Sequence, residues 1–561
     1  MDDCRRLTGP SLVWENTGAI LDVLIHGKDM DAVLDCWHRQ LNKLLEKIDW
    51  QHHAFTHRRF ESGFNFLIAA PIDQLYSATM VLEAAWYFTS CELLNIEAEQ
   101  PQDIVNAIQA SIESEANAAL LALQRAAELN SIDFLYDDDE VSVGHGEASL
   151  CWPVEEIPPA SQVDWQSVHN LPVALITGTN GKSTSVRILD GIAKAAGHVA
   201  GVTSTDFVRV GDDVLDTGDY SGPGGARLLL RDKRLQVPFL EVARGGILRR
   251  GLPLRCAKAA LVTNVARDHL GQYGINTLEA LTEVKLVVAK GLTDDGVLVV
   301  NADDLSIRSY LQTLKQTPEL CWFSLDRNHD LIRQQIKNKL KCCFTEQGKI
   351  VYFDGVLEQT VCNINEIPMT MNGAALHNVR NALGAVGVAS AMGYNLEQIQ
   401  SGLLRFNSDE KDNPGRLNSF KLKTGARVLV DFAHNAHSVA AVVDTVERMP
   451  ARQKWALFGS AGDRSNDEIR AIAEGVCQMN PGHVVIVEVE KYLRGRESGE
   501  VSEIMKQACL DSGLKPDQIE FADSPLAGVK QAVSGMQAED LGLFLVLSER
   551  DAVIEFVRGY G

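Results

Sequence analysis

One stretch, VALITGTNGKSTSVRILDGIAKAAG (Val173 to Gly197), constrains the fold more than any other part of the chain. Its first five residues are apolar or β-prone and read as a short buried strand. Val186, Leu189 and Ala193 then recur at helical spacing, and Gly197 supplies a C-terminal stop. A buried strand that enters a helix through a tight glycine turn is half of a βαβ unit, and it calls for a parallel sheet. The turn ends in Gly181-Lys182-Ser183. The backbone N–H groups of such a turn, backed by the helix dipole, would face phosphate oxygens. Lys182 would meet the terminal phosphates and Ser183 would hold Mg²⁺. A strict P-loop has a glycine five residues before Gly181, where this chain has Ile176. The turn therefore fits a shorter pattern, GTxGK[ST].

The rhythm set by this unit continues. VPFLEVA, AALVTNV and GVLVVNA are short buried β runs separated by helical stretches, and a second series follows NPGR (Asn413 to Arg416). That series contains RVLVDFAHN, KWALFGSAGDR, HVVIVEVE and GLFLVLSERD. Before Leu171 the pattern is mixed. AVLDCWHRQLNKLLEKI and SIESEANAALLALQRAAELN have helical spacing, whereas FNFLIAAP and EVSVGHG read as strands. The proline-bearing segment CWPVEEIPPASQVDWQSVHNLP reads as a linker. The expected fold class is α/β, in three parts. Residues 1–165 form an N-terminal α+β domain and linker, 166–412 a central P-loop domain with a parallel sheet, and 413–561 a smaller Rossmann-like C-terminal domain.

Composition narrows the partners. The 561 residues carry a formal net charge of -22, which disfavours broad attraction to nucleic acid or an anionic membrane. No apolar run is long enough to span a bilayer, and MDDCRRLTGP has no apolar signal core behind its charges. The 11 cysteines are scattered without a CxxC pair, which suits reduced thiols in a cytoplasmic protein. The acidic run Asp137 to Glu140 reads as a solvated turn.

Two further strand exits attract attention. Glu241, in FLEVARGGILRRG, closes a β run at the edge where open parallel sheets bind ligands, and it is a candidate metal ligand. Read alone, it could equally be a surface glutamate starting a turn. Arg244, Arg249 and Arg250 make its loop locally basic, which suits an anionic substrate. In LVTNVARDHLGQYG a strand runs into Asn264, Asp268 and His269. A lone histidine is more often structural, but His269 gains weight from Glu241 and Ser183, because neighbouring strand ends of one sheet converge.

These motifs, in this order, resemble the Mur ligases, which join an amino acid to a carboxylate using ATP. The resemblance rests on GTNGKST, LEVARGGILRRGL, TNVARDHLG, NADD (Asn301 to Asp304), LHNVRNALGA (Leu376 to Ala385), NPGR and DFAHN (Asp431 to Asn435), over roughly 170 to 561. DYSGPGGAR, ARGGILRRGL, GDR and RGR look most like the Mur-like half of the cyanophycin synthetases. In those enzymes that half attaches arginine to the side-chain carboxylates of a poly-aspartate backbone.

The resemblance implies ATP and Mg²⁺ as cofactors and a role for each matching residue. Gly178, Thr179, Asn180, Gly181, Lys182, Ser183 and Thr184 would surround the phosphates. Ser183, Glu241 and His269 would hold metal, and Lys285 falls where many relatives carry a carbamylated lysine. Lys182, Glu241, His269 and Lys285 form the implied catalytic set. Asn378, Asn381, Arg416, Asp431 and His434 would contact the nucleotide, with Asp431 on the ribose and His434 near the phosphates. Ser221, Arg244, Arg464, Arg494 and Arg496 would line the substrate side. The implied substrates are an amino acid and a carboxylate acceptor, with a polymer or peptide among the acceptors the resemblance allows, and the expected assembly is a homo-oligomer.

Residues 1–165 also resemble the first domain of cyanophycin synthetases, through RRLTGPSLVWENTGAILDVLI and ALLALQRAAELNSIDFLY. The ATP-grasp domain that follows in those enzymes has no room here before the P-loop, so one ATP site and one amide-forming reaction are expected. Tyr220 and Gly224 depart from the family pattern and put the acceptor in doubt; Ala436 stands where proline is usual. Two alternatives stay open: a Mur-type ligase acting on a small, folate-like acceptor, and a catalytically silent nucleotide-binding scaffold. The N-terminal domain would either present the acceptor or serve only folding and oligomer contacts.

Overall fold

The computed structural model describes residues 1–561. The chain divides into two compact units. The first contains Met1–Phe323, His329–Cys342 and Gly384–Gln398; the second contains Ser324–Asn328, Cys343–Leu383 and Ile399–Gly561. No helix is long and apolar enough to cross a membrane.

The first unit opens with β1 (Asp3–Leu7), β2 (Gly18–Leu24), α1 (Met30–Lys47), β3 (Phe55–Phe60), β4 (Gly63–Ala69) and α2 (Leu75–Leu94). The strands form an antiparallel sheet of order β1-β2-β4-β3. Period-2 alternation gives this sheet two unlike faces. Leu21, Val23, Phe64, Phe66 and Ile68 pack against Trp37, Leu41, Val81 and Leu82 of the two helices. The opposite face carries a small apolar patch (Leu7, Ile20, Leu67) and a row of polar residues.

Next come α3 (Pro101–Glu115) and α4 (Ala118–Leu129). The sequence predicts helical spacing straight through SIESEANAALLALQRAAELN, but the chain breaks at Ala116–Asn117. Asn117 caps α4 through its side chain and donates its own N–H to Asp73. The small sheet of β5 (Phe134–Tyr136), β6 (Glu140–Val143) and β7 (Leu150–Pro153) follows. β7 lies inside the expected linker. Val163 and Val168 of that segment are also buried, beside Leu120, Leu123, Val141 and Val143, so the segment packs as part of this small core.

The acidic run is likewise not a free turn. Asp137 pairs with Arg231 at 2.8 Å and Arg227 at 3.4 Å, and Asp138 pairs with Arg6 at 2.6 Å and accepts from Tyr76. Against the cost of burial, the Glu140 amide and then Arg231 hold the Asp137 carboxyl below the usual carboxylate range, and Arg6 does the same for Asp138. Sequence reasoning saw four acids in a row but not the arginines that come from distant segments.

The large sheet follows, with β8 (Val173–Thr177), α5 (Lys182–Ala195), β9 (Ala200–Thr203), β10 (Phe207–Val210), β11 (Asp213–Thr217), α6 (Pro223–Leu230), β12 (Val237–Glu241), α7 (Arg244–Arg250), β13 (Ala257–Val262), α8 (Leu278–Leu286), β14 (Leu292–Asn301), α9 (Leu305–Thr313) and β15 (Glu319–Ser324). Within this unit the strand order runs β11-β10-β9-β12-β8-β13-β14-β15. β9, β12, β8, β13, β14 and β15 are parallel. β8 is central, and its neighbours on either side, β12 and β13, come later in the chain. That is a topological switch point, where open α/β sheets bind ligands beyond the carboxyl ends of their strands.

After α10 (Asp330–Lys337) and β16 (Cys342–Glu346), the second unit contains the antiparallel pair β17 (Lys349–Phe353) and β18 (Glu358–Asn363), and most of the first turns of α11 (Leu376–Ala391). After α12 (Leu396–Arg405) it forms a second sheet from β19 (Asn418–Lys421), β20 (Arg427–Asp431), β21 (Lys454–Phe458), β22 (His483–Val487), β23 (Ile519–Ala522) and β24 (Leu541–Leu545). Its order is β19-β20-β24-β21-β22-β23, and only β19 is antiparallel. Apolar clusters cover both faces of this sheet, as expected for a doubly wound α/β layer.

Candidate active site

The candidate site of the first unit lies at the carboxyl ends of β8, β12 and β13. Register sets the alignment: Glu241 stands opposite Ile176, and Val262 opposite Thr177. The turn after β8 passes close over the exit of β13. A Cβ on Gly178 would lie 1.9 Å from the Thr263 hydroxyl, so no other residue fits at this φ of +144°. The turn is then stitched to β13. Thr179 N–H donates to Asn264 O at 2.8 Å and Asn180 N–H to Asn264 Oδ1 at 3.1 Å. Thr263 Oγ1 and Asn264 Nδ2 both donate to Asn180 O, at 2.6 and 2.9 Å. Two of the expected phosphate-facing amides, those of Thr179 and Asn180, are therefore turned to Asn264. The amide donors without intrahelical acceptors are those of the first turn of α5, which begins at Lys182 after Gly181. Lys182 Nζ donates to Thr179 O at 3.0 Å.

Glu241 ends β12 and is 2% exposed. Its N–H donates to Thr203 Oγ1 at 3.1 Å, and Ser183 Oγ lies 3.5 Å from Thr205 Oγ1. Thr203 and Thr205 belong to the exit of β9. Sequence reasoning passed over them, although VTSTD repeats the pattern of a β run entering hydroxyl and acidic residues. The start of α5 is held from the same side. Buried Arg187 pairs with Asp206, and Arg209 pairs with Asp190. The phenyl ring of Phe207 lies 5.2 Å from one guanidinium and 5.3 Å from the other.

Lys285, on α8, is 4% exposed, and its ammonium donates to Gly178 O at 2.9 Å. Burial, followed by the nearby charge of Lys182, pushes its pKa well below the ordinary lysine value. Asp268 and Arg244 lie close enough to act on it electrostatically. His269 takes a left-handed backbone (φ +51°) and is about half exposed, 3.9 Å from Asp268. Arg244 Nη2 donates to Gln272 Oε1 at 2.5 Å, and its Nη1 is buried without a hydrogen-bond partner. Ser221 is 3% exposed; its hydroxyl donates to Asp219, and its carbonyl accepts from Ala243 at 2.9 Å. A small cleft runs between Ser221–Pro223 and Gly246, with Glu241 on its wall.

The oxygen donors Ser183 and Glu241 suit a hard divalent cation such as Mg²⁺. A buried carboxylate on the wall of a cleft beside a helix N-terminus also matches the chemistry of a phosphate-bound metal.

In the second unit, Asp431 ends β20 and accepts two backbone amides, Leu417 N–H at 2.8 Å and Ala433 N–H at 2.7 Å. Burial raises its pKa to about 6, against the opposing charge of Arg416. Arg416 stacks 5.0 Å from the Phe432 ring. His434 Nδ1 lies 3.1 Å from Phe432 O. Ala436 opens α13 (Ala436–Glu447), capped by Asn435. Asn378 and Asn381 are buried on α11. Asn378 Nδ2 donates to Met369 O at 2.9 Å and its Oδ1 accepts from Asn381 Nδ2 at 3.2 Å.

Of the three candidate substrate arginines in this unit, Arg496 is spent on the backbone. It donates to Gly462 O and Arg464 O, both at 2.8 Å, and pairs with Glu500. Arg494 pairs with Asp463. The RGR arginines thus shape the loop that carries Arg464.

Comparison with known proteins identifies a family for most of the chain beyond residue 175. The Mur ligase middle domain matches residues 176–389, and the Mur ligase glutamate ligase domain matches 415–546. The chain is 34% identical over 347 residues to the cyanophycin synthetase of Nostoc sp. (strain PCC 7120), covering 62% of this chain and 38% of that protein. With the cyanophycin synthetase of Synechocystis sp. (strain PCC 6803) the identity is 32% over 379 residues, 68% of this chain and 42% of that protein. The match thus spans about two fifths of the length of these curated relatives. Among solved structures, E. coli FolC in complex with DHPP and ADP shares the fold, with a TM-score of 0.52 at 19% identity over 69% of this chain and 89% of that one. Over these matched residues the chain belongs to the Mur ligase family, with that family's middle domain followed by its glutamate ligase domain.

Proposed function

We propose that this chain is an ATP-dependent amide ligase. It joins an amino acid to a carboxylate acceptor through an acyl phosphate and releases ADP and phosphate, as expected of a cyanophycin-synthetase-like branch of its family. The observation that carries this reading is the convergence at one sheet edge: the first turn of α5, the buried Glu241 carboxylate and the buried Lys285 ammonium meet there.

The chemistry follows from what a carboxylate lacks. It is a poor electrophile with a poor leaving group, so an amine cannot attack it directly. Transfer of the terminal phosphoryl group of ATP to a carboxylate oxygen makes an acyl phosphate. The amine then adds, the tetrahedral intermediate collapses and phosphate leaves. Bringing a carboxylate up to a triphosphate sets anion against anion. Lys182 and the amides at the start of α5 would offset that repulsion and the charge that develops in transfer. Ser183 and Glu241, with His269, would hold Mg²⁺, which supplies further charge neutralisation when bound. Arg244 would receive the acceptor carboxylate.

In the second unit, Asp431 would accept from the ribose hydroxyls, and Asn381, Arg416 and His434 would contact the rest of the nucleotide. Arg464 would face the incoming amino acid, on a loop shaped by Arg494 and Arg496. The cyanophycin synthetases among the relatives favour a poly-aspartate-type acceptor. β7 ends at Pro153 and β8 begins at Val173, which supports a single ATP site in this region.

The test is ADP release over an amino-acid panel with a poly-aspartate-type acceptor. Release that depends on both substrates and is lost in Lys182→Ala supports the proposal. Tight ATP binding without turnover on any substrate pair would refute it.

A further inference from the structure

The N-terminal sheet turns a polar face toward the two loops that carry Arg244 and His269. Each of its four strands contributes. Arg5 on β1 is 7% exposed and pairs with Asp22 on β2 at 2.7 Å. Asp22 accepts from Asn65 on β4 at 2.6 Å, and Asn65 accepts from Arg58 on β3 at 3.3 Å. The register stacks three of them into one row, with Asp22 opposite Asn65 and Asn65 opposite Arg58, and Arg5, opposite Ile20, reaches Asp22 diagonally. A buried charged row is costly unless every member is satisfied. Part of that satisfaction comes from outside the sheet.

Arg5 Nε donates to Leu248 O at 3.0 Å, in the last turns of α7. The same guanidinium lies 4.6 Å from the centre of the Tyr273 ring. Arg58 donates to Gly274 O at 3.3 Å. Tyr273 and Gly274 belong to a tight turn closed by Gly271 N–H to Ile275 O at 2.9 Å, two residues after His269. Arg244 opens α7 and reaches Gln272 of that turn. A third strap runs alongside: Thr8 N–H donates to Arg250 O at 2.9 Å and Leu252 N–H to Pro10 O at 2.7 Å. There Gly9 and Gly251 meet so closely that a Cβ on Gly251 would lie 2.3 Å from Gly9 O.

We infer that the N-terminal sheet is a built-in clamp on the candidate active site, with Arg5 as the positioning residue that ties α7 to the turn after His269. α7 follows Glu241 directly, and the turn follows His269 directly, so both loops are short levers from the sheet edge. A loop held only by its own ends samples many geometries, and a metal or anion site tolerates little displacement. The clamp supplies the missing constraint from a segment more than two hundred residues away in sequence. Its catalytic consequence rests on the ligase reading above; the mechanical link does not.

The test uses the full chain. Arg5→Met is paired with Asp22→Asn so that no buried carboxylate is left unpaired, and Arg5→Lys is made beside it. Hydrogen exchange without nucleotide or metal is read first. The expected result is about tenfold faster exchange, or more, at residues 246–250 and 271–275, with α5 unchanged. Arg5→Lys, which keeps the Asp22 pair but not the guanidinium fork, should fall between the two. Mn²⁺ titration of ADP release is read second, and the half-saturating metal concentration should rise about 10-fold, with a smaller change in maximal rate. Unchanged exchange in both loops would overturn the clamp. Faster exchange in a protein that never releases ADP would keep the clamp and discard the ligase reading. If the paired variant does not fold, Tyr273→Leu, which removes the stacking contact alone, should loosen 271–275 selectively; no change there would also overturn the inference.

Discussion

Lys285 Nζ donates to the carbonyl oxygen of Gly178 at 2.9 Å, from a helix more than a hundred residues further along the chain. The bond ties α8 to the first glycine of the turn between β8 and α5 and buries the Lys285 amine beside Lys182.

Lys285→Met should therefore separate stability from activity. In the fold the amine gives up its proton at lower pH than in the unfolded chain. Between the depressed pKa and the ordinary value of 10.5, the unfolded chain binds more protons, so stability rises with pH across that window. The methionine variant should lose this slope and melt at a higher temperature near neutral pH, while turnover falls at least about 100-fold. A neutral amine can also add to CO₂, forming a carbamate and releasing a proton. ¹³C-bicarbonate should then give a carbamate resonance in the wild-type protein that Lys285→Met lacks.

Glu241→Gln should leave the fold intact and reduce ADP release about 100- to 1,000-fold, because the change keeps volume and removes charge. Its metal dependence is the sharper readout. Half-saturating Mn²⁺ should rise, whereas the melting temperature of the metal-free protein should hold or increase.

Asp431 titrates near pH 6 through burial. Between 3.8 and about 6 the folded chain keeps a proton that the unfolded chain has lost, so stability falls as pH rises through this window, by up to roughly 3 kcal/mol. If the ionised carboxylate accepts the ribose hydroxyls, ADP affinity should rise over the same interval. Calorimetric titration from pH 5 to 7 should show that rise in wild type and a flat profile in Asp431→Asn.

His377 is part-buried in the first turn of α11, with Nδ1 lacking a hydrogen-bond partner, and desolvation pulls its pKa down to about 4. The unfolded chain takes up a proton near 6.5 that the folded chain refuses until about 4. Stability should therefore fall with decreasing pH across that window, by up to roughly 3 kcal/mol. Urea unfolding of His377→Gln should show a shallower acid loss than wild type.

Arg496→Lys should raise the KM for the amino acid more than it lowers kcat, because one ammonium cannot span Gly462 O and Arg464 O together. Equal loss in both constants would place Arg496 in the chemistry itself.

Much of the site was legible because its signals are local. A buried β run, a glycine turn and a basic-hydroxyl start to a helix are contiguous, so residues 173–197 announce both a βα unit and a phosphate turn. The places of Glu241 and Asp431 at the ends of buried strands are legible for the same reason. Thr203 and Thr205 carry no such signal, and Asn264 shows only as one polar residue at a strand exit. Each is a small polar residue after a strand, common anywhere, and only strand order makes it a neighbour of Ser183, Glu241 or Asn180. The acidic run at Asp137–Glu140 does form an exposed turn, but its ion pairs are not legible in the sequence, because charge pairing depends on the partner and Arg6, Arg227 and Arg231 come from elsewhere in the chain.

The sequence alone determined the periodic elements, the glycine turn between β8 and α5 and the family pattern, since these rest on spacing within a few residues and on backbone rules for glycine and helix starts. The tertiary structure decided which amides of the turn face β13, which ammonium is buried beneath it, and that Arg5 reaches α7. Those are long-range matters of burial and hydrogen-bond satisfaction, and a buried charge selects its partners only when the chain has brought them together.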